Sequence, residues 1–559
     1  MPIVVALLLV GVDEHPMFGN ADNRIFQESL SLHTDRQLYI SGETLWFSMA
    51  LTSTNKLRKE NSKIAYIELL GPSGLAIRRV KVELTDGLGS GAIDIPKEIV
   101  SGNYKLRTYT QAMRSYGLAA FAEKHLIVLN KDQDVVTSQN LTEQKHTQEQ
   151  VRSDLGLIEI RTDRLTYGQR QKVEVEIIVS DTYGTPLTSS FSVAVAVPTS
   201  DINFEDSTTD NPIRHHDGSI YNIEHVGMNV KGRISSRSTN EGIEGVKVFL
   251  SFPGERALVY SVLTNQAGYF LFTLPKVYGP KEIVLQVEPK YEDIAIIELE
   301  SEFHEGSSQD SILFVLPVEM LDLANRSLAN ASVNDAYKAF EDPITYVADS
   351  TFLDIPFYGT YDRRYYLDDY TRFPLPEFYF EVVPEVRVQG KYGEEKLSVI
   401  NDWSLPDRET PALLLVDGVP VFDQGKFIKI NNRLISSTQI VLDPFWLNTD
   451  YYDGIVEVTS FDKDARCIEL SPSSMRTSFL GLLPKRSFES GLNQNTATAS
   501  LPKFKNTLFW EPALSTDEDG RATFSFYTSD AIGAYSITVQ ALDQTALDQP
   551  DFTISVTKE

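Results

Sequence analysis

Leu38-Tyr-Ile40, Thr44-Leu-Trp-Phe-Ser-Met-Ala-Leu51, Lys63-Ile-Ala-Tyr-Ile-Glu-Leu-Leu70 and Ala76-Ile-Arg-Arg-Val-Lys-Val-Glu-Leu84 follow one another closely. They are rich in β-branched and aromatic residues, and the last ends in a period-two alternation, which marks strands with one buried face. Ser41-Gly42, Pro72-Ser-Gly74, Asp86-Gly87 and Ser101-Gly-Asn103 separate them with turn residues. Short strands at this spacing predict an antiparallel sandwich, closing near Leu126-Ile-Val-Leu129. The pattern recurs. A second sandwich is predicted from Leu157-Ile-Glu-Ile160, Lys172-Val-Glu-Val-Glu-Ile-Ile-Val179 and Ser190-Phe-Ser-Val-Ala-Val-Ala-Val197. A third begins at Val230-Lys-Gly-Arg-Ile234 and continues through Gly245-Val-Lys-Val-Phe-Leu250 and Gly268-Tyr-Phe-Leu-Phe-Thr-Leu-Pro275. Thr523-Phe-Ser-Phe-Tyr527 and Ala534-Tyr-Ser-Ile-Thr-Val-Gln540 close the chain as strands. The fold class is therefore mainly β, with serial immunoglobulin-like β-sandwiches.

The bulk numbers agree with several packed units. The chain has 559 residues, 42% of them hydrophobic and 10% aromatic, and domains usually run roughly 100–200 residues, so about four are expected. The net charge is −27. A surface this acidic repels phosphate backbones and argues against nucleic acid as a partner. A single cysteine, Cys467, permits no intramolecular disulfide. It has no neighbouring base that would make it a nucleophile, so its expected role is buried filler. Ile3-Val-Val-Ala-Leu-Leu-Leu-Val-Gly-Val12 is too short to span a bilayer but fits a signal-peptide core, and Gly19-Asn-Ala21 supplies a small-x-small cleavage step. Export is expected, with cleavage after Ala21, and no later segment reads as a transmembrane helix.

Family resemblances refine this map. Thr34-Asp-Arg36, Tyr39, Ser41-Gly-Glu43, Trp46-Phe47, Gly89-Ser-Gly-Ala92, Ile95-Pro96 and Gly102-Asn-Tyr104 resemble the second macroglobulin domain of the α2-macroglobulin family. Thr162-Asp-Arg-Leu-Thr-Tyr-Gly168 repeats the Asp-Arg-x-x-Tyr theme, with the two residues before the glycine missing, so an internal repeat is expected. Asp181-x-x-Gly184-x-Pro186 is similar to a later sandwich of that family, as are Thr507-Leu-Phe-Trp510-x-Pro512 and Thr516-Asp-x-x-Gly520 near the end. The family's thioester motif, Gly-Cys-Gly-Glu-Gln, is absent, so its covalent trapping chemistry does not carry over. Val230-x-Gly232-x-Ile234, Gly242-Ile-x-Gly245-Val-x-Val248 and Thr264-Asn-x-x-Gly268-Tyr269 resemble the carboxypeptidase-regulatory-like, transthyretin-type sandwich. Leu413-Leu-Leu-Val-Asp-Gly-Val-Pro420 and Tyr452-x-Gly454-Ile-Val-Glu-Val-Thr459 resemble the plug of TonB-dependent outer-membrane receptors. That resemblance implies a small α/β plug-like module. About one hundred residues follow it, too few for the receptor's barrel.

The expected order is then a signal segment (1–25), a macroglobulin-type sandwich (26–131), a linker (132–154), a second such sandwich (155–225) and a regulatory-like sandwich (226–303). A helical, Tyr-rich connector (304–375), the plug-like module (376–466), a linker (467–503) and terminal macroglobulin-like strands (504–559) complete it. Residues 321–330 and 334–340 carry the best helical pattern.

Candidate chemistry is sparse. His215 and His216 are adjacent, and neighbours on a strand point to opposite faces, a poor chelate. Asp368-Asp369 and Asp362-Arg-Arg364 imitate a carboxylate pair but lie in a Tyr-rich stretch. No Gly-x-Ser-x-Gly, His-Glu-x-x-His or phosphate loop occurs. Hence no catalytic, cofactor-binding or metal residue is assigned, no cofactor is expected, and the chain is not expected to be an enzyme. The expected function is a binding or scaffold role in the cell envelope, in the periplasm or at the outer membrane, with a protein partner. A thioester-less protease inhibitor with a cleavable 131–154 is the alternative, and an acidic hydrolase a weaker one. Tyr365-Tyr366, Tyr370, Phe373 and Phe378-Tyr-Phe380 form the most unusual composition, expected to pack between domains rather than to form an exposed binding surface.

Overall fold

The Asp-Arg-x-x-Tyr corner at residue 35 turns the chain from one sheet of the first sandwich into the other. Glu28–Thr34, Thr44–Ser53 and Leu88–Asp94 form a three-stranded sheet, and Leu38–Ile40 enters a five-stranded one with Ala122–Leu129, Gly102–Tyr109, Ile64–Leu70 and Ala76–Glu83. Tyr39, Phe47, Met49, Tyr66, Tyr104 and Leu126 fill the space between them. The computed structural model describes residues 28–53, 61–133, 137–138, 156–198, 221–254, 256, 258–305, 314, 316–337, 356–391, 393–400, 411–489, 501–542, 547–548 and 552–558. The expected signal segment with its cleavage step, the body of the expected 132–154 linker, and His215 and His216 lie outside these residues. The fold is mainly β, as the strand periodicity indicated.

The second sandwich is split in sequence. Lys172–Ser180 alternates strictly, burying Val173, Val175, Ile177 and Val179. It pairs on one side with Gly156–Thr162 and on the other with Arg521–Tyr527. In the facing sheet, Ser190–Ala196 lies between Thr507–Ser515 and Gly533–Ala541. The stretches read as two units, 155–225 and 504–559, therefore build one sandwich, and this corrects the sequence map. The physical reason is that the strands of 156–196 cannot close a two-sheet core alone. Their apolar faces are covered by Phe509, Phe526, Tyr535, Ile537 and Ile554 from the far end. Bridging so long an insertion costs little, since each doubling of a loop adds only about 0.6 kcal/mol.

The third sandwich also borrows a strand. Met228–Ser236 centres a sheet with Tyr269–Leu274 and Ala295–Leu299. The other sheet runs Leu258–Leu263, Lys247–Phe252, Pro280–Val287 and Met475–Leu480. That last strand comes from the stretch 467–503 read as linker, a second correction. Its alternation is weak, but Phe479 is buried in a core shared by the first and third sandwiches.

A helix, Leu321–Tyr337, covers the predicted helical stretch as far as residue 337 and packs Ala324 and Ala331 on Leu38, Ile40, Ile127 and Leu129 of the first sandwich. Its other side reaches the second sandwich, where Asn330 Nδ2 donates to Asn506 Oδ1 at 2.9 Å.

The α/β module holds a mixed sheet ordered Arg363–Tyr366, Ile435–Val441, Ile455–Ser460, Leu413–Val416 and Val419–Pro420, with helix Leu375–Val382 on one face. Because Arg363–Tyr366 belongs to this sheet, the module begins before residue 376. Its opposite face packs Leu413, Leu415 and Ile455 on Phe249 and Val259 of the third sandwich. Asp417 and Gly418 have φ of 48° and 80°. Two successive left-handed residues make the tight hairpin turn that an Asp-Gly pair favours.

Candidate binding surface

Two polar clusters join the sandwiches. In the first, Asp35 Oδ1 accepts from Tyr39 OH at 2.7 Å and from Trp46 N at 2.9 Å, while Oδ2 accepts from Thr507 Oγ1 at 2.5 Å. Burial raises the Asp35 carboxyl above its ordinary range, against the pull of Arg36 and the two hydroxyls. Arg36 donates to Glu43 at 2.7 Å, and Glu43 in turn accepts from Asn506. In the second, the fully buried Lys81 pairs with Glu302 at 2.7 Å across the first and third sandwiches. Beside it Glu224 accepts from Tyr66 OH and Asn229 N, and its Oε2 has no partner. Burial pushes Glu224 up to about 7. His33, buried between the first and second sandwiches, meets Ser192 Oγ at 2.6 Å, and desolvation lowers it to about 3. It is neutral at ordinary pH.

The candidate residues of the sequence do not converge. Asp362 Oδ2 accepts from Leu442 N at 2.8 Å, a strand-edge contact, and Asp368 pairs with Arg372 in its own turn. Cys467 is half-buried against the module core, and burial, with Asp417 the next cause, pushes its thiol up to about 11. Sequence reasoning missed Glu457. It stands in the centre of a strand whose every residue is buried, accepts from Gly418 N at 3.0 Å, and is pushed up to about 8 by burial. A lone acid inside Ile455-Val-Glu-Val458 was the available signal.

Exposed aromatics concentrate on the α/β module. Among the described residues eight large aromatic side chains are exposed, and six of them, Tyr361, Tyr366, Tyr370, Phe380, Trp446 and Phe461, lie there. Phe380 is 81% exposed and Trp446 62%. Several share one end of the sheet. Tyr366 ends its strand opposite Ser437, and Phe461 N donates to Leu434 O at 3.0 Å just beyond the Ile435–Ser460 pair. Arg372 ties the Tyr370 turn to Asn432 at 2.6 Å, and the Arg364 guanidinium lies 4.8 Å over the Tyr366 ring. Tyr366, Tyr370, Leu434 and Phe461 are thus exposed near one end of the sheet, an aromatic rim with Arg364 lying over Tyr366. The Tyr-rich stretch divides: Phe378 and Tyr379 are core, while Tyr366, Tyr370 and Phe380 face solvent.

Solved bacterial α2-macroglobulins are similar to this chain. The Salmonella protein reacted with methylamine shares 9% identity over 95% of this chain, at a TM-score of 0.25. The native Escherichia coli protein shares 8% over 95%, also at 0.25. The chain spans 40% of each of these proteins. No protein-family model matches the chain, and no curated protein matches it. At these identities and scores the likeness assigns no function.

Among the described residues no helix is long and apolar enough to cross a membrane.

Proposed function

We propose that this chain is a non-catalytic binding scaffold of the cell envelope. The three sandwiches hold the α/β module and present its aromatic rim to a protein partner at the outer membrane. The observation that carries this reading is the exposed rim itself. Aromatic side chains and arginine are the residue types that dominate protein interfaces, and burying Tyr, Phe and Leu together yields a large apolar contact at low entropic cost. The macroglobulin-type character of the first and second sandwiches rests on their Asp-Arg-x-x-Tyr corners. The envelope setting rests on the apolar N-terminal run and on the plug-like strands of the module. Neither unit needs a thioester, cofactor or metal for this role.

The test is affinity capture from envelope fractions with Tyr366→Ala/Phe461→Ala. We expect the main outer-membrane protein bound by the wild type to bind at least roughly thirtyfold more weakly, the scale of losing a single hot-spot residue. Tyr183→Ala and Tyr269→Ala, on the second and third sandwiches, leave binding unchanged. Equal binding by the rim variant would remove the rim from the account.

A further inference from the structure

Among the described residues the Asp-Arg-x-x-Tyr pattern folds into a corner twice, and the two copies share three equivalent hydrogen bonds; at Asp362-Arg-Arg-Tyr-Tyr366 the same pattern runs into a strand instead. In the first, Thr34 Oγ1 donates to Arg36 O at 2.9 Å, Tyr39 OH to Asp35 at 2.7 Å, and Ile40 N to Glu43 at 2.7 Å. In the second, Thr162 Oγ1 donates to Arg164 O at 2.7 Å, Tyr167 OH to Asp163 at 2.5 Å, and Gly168 N to Gln171 at 3.0 Å. Arg36 lies 4.7 Å over Tyr39, and Arg164 lies 5.2 Å over Tyr167. Each corner leads into a short strand paired in parallel with the last strand of its sandwich, Leu38–Ile40 with Ala122–Leu129 and Thr166–Tyr167 with Phe552–Val556.

The copies differ in what covers them. The first is sealed by the second sandwich, whose Asn506 and Thr507, at the start of a strand, donate to Glu43 and Asp35. The second is open. The Asp163 and Arg164 side chains are 46% and 58% exposed, and Leu165 between corner and strand is 62% exposed. Gln171 also stands where Glu43 stands, so Arg164 has lost the carboxylate that Arg36 keeps. Asp163 Oδ2, the atom that takes Thr507 in the first copy, is here turned to Arg164 at 3.1 Å.

We propose that the Asp163–Arg164 corner is the seat of a further β-sandwich domain. That domain enters by the first residues of a strand. A hydroxyl there donates to Asp163, as Thr507 does to Asp35, and a carboxylate there meets Arg164, replacing the missing Glu43 equivalent. The hydroxyl sets the register, and the carboxylate gives a charge-assisted bond of the kind a guanidinium makes well. Leu165 supplies the apolar contact. This seat is separate from the aromatic rim and stands whether or not the rim binds.

The experiment replaces Leu165 with photo-crosslinkable p-benzoylphenylalanine in the full chain, expressed in its native cells. The expected adduct joins position 165 to a strand-initial peptide of a β-sandwich domain in another polypeptide, carrying Ser or Thr and Asp or Glu. Arg164→Ala lowers the adduct yield roughly tenfold, the scale of a truncated interface arginine, with an unchanged circular dichroism spectrum. The charge-reversing Arg164→Glu gives the same loss, so the result does not hang on one variant. Three outcomes overturn the proposal. One is crosslinking only within the same chain, to residues 139–155 for example. Another is a yield no higher than from the same probe at Tyr183, which is 92% exposed on this sandwich. The third is adducts whose peptides come from no sandwich domain.

Discussion

Glu457 and Glu224 show what a single buried acid does to this protein. Both carboxyls are raised, to about 8 and about 7, because burial penalises the charged form. Between the ordinary unfolded value and the raised folded one, the folded state holds a proton that the unfolded state has released. Their contribution to stability therefore falls as pH rises from about 4.5 to about 8 and is level above that. Glu457→Gln removes its share, so the difference in unfolding free energy between pH 5 and pH 8.5, measured by urea titration, shrinks by ~4 kcal/mol. An unchanged difference would mean that Glu457 is solvated. His33 works in the opposite sense: its folded value is lowered to about 3, so its protonation in the unfolded state costs stability below about 6.5. Lys81 is the cation of the second junction. Lys81→Ala leaves Glu302 without its partner beside Glu224 and lowers stability by about 3 kcal/mol in the same assay. Cys467 is different. Its raised thiol stays protonated and bonds to no second sulfur, so Cys467→Ala keeps the melting temperature within a few degrees and keeps partner binding. Loss of binding would give the thiol a role that its environment does not suggest.

At the scale of the element, turn chemistry was the most legible feature of the sequence. Asp417-Gly418 reads as a hairpin turn, and both residues take left-handed backbone angles, with Gly418 at φ 80°. A branched residue is strained there. Gly418→Val accordingly makes the 411–466 region cleavable in limited proteolysis, while the first sandwich stays protected, and mass spectrometry of the fragments reports both. Equal protection of the module would refute the turn's importance. Alternation was similarly readable in Lys172–Ser180, where the buried residues follow the apolar ones. Met475–Leu480 was not readable, because its Met-Arg-Thr-Ser-Phe-Leu alternation is broken and its fit depends on the free edge of Pro280–Val287. A strand of that kind is defined by its partner, and the partner lies far away in sequence. The aromatic rim was half legible: composition singled out the stretch from Tyr365 to Phe380, but composition cannot say which of Phe378, Tyr379 and Phe380 faces solvent. The helix Leu375–Val382 decides that by burying the first two.

For the whole molecule, local periodicity gave strands and sandwiches but not their closure. The halves of the second sandwich are separated by the third sandwich and the α/β module, and no local pattern encodes which distant strands share a sheet. Closure has a mechanical consequence. The third sandwich and the module are an insertion between Ser190–Ala196 and Thr507–Ser515, and both ends of that insertion are anchored in one sheet. Asp35, Glu43, Asn330 and Asn506 then bind that sheet to the first sandwich and the bridging helix. The aromatic rim is thereby carried on a closed frame rather than on a string of independent beads. Native-state hydrogen exchange tests this most directly. The amides of Lys172–Ser180 and Arg521–Tyr527, paired from Lys172–Tyr527 to Ile178–Arg521, should open together with one free energy and one denaturant dependence. Exchange of Arg521–Tyr527 at loop-like rates, with Lys172–Ser180 still protected, would contradict the split sandwich and the frame built on it.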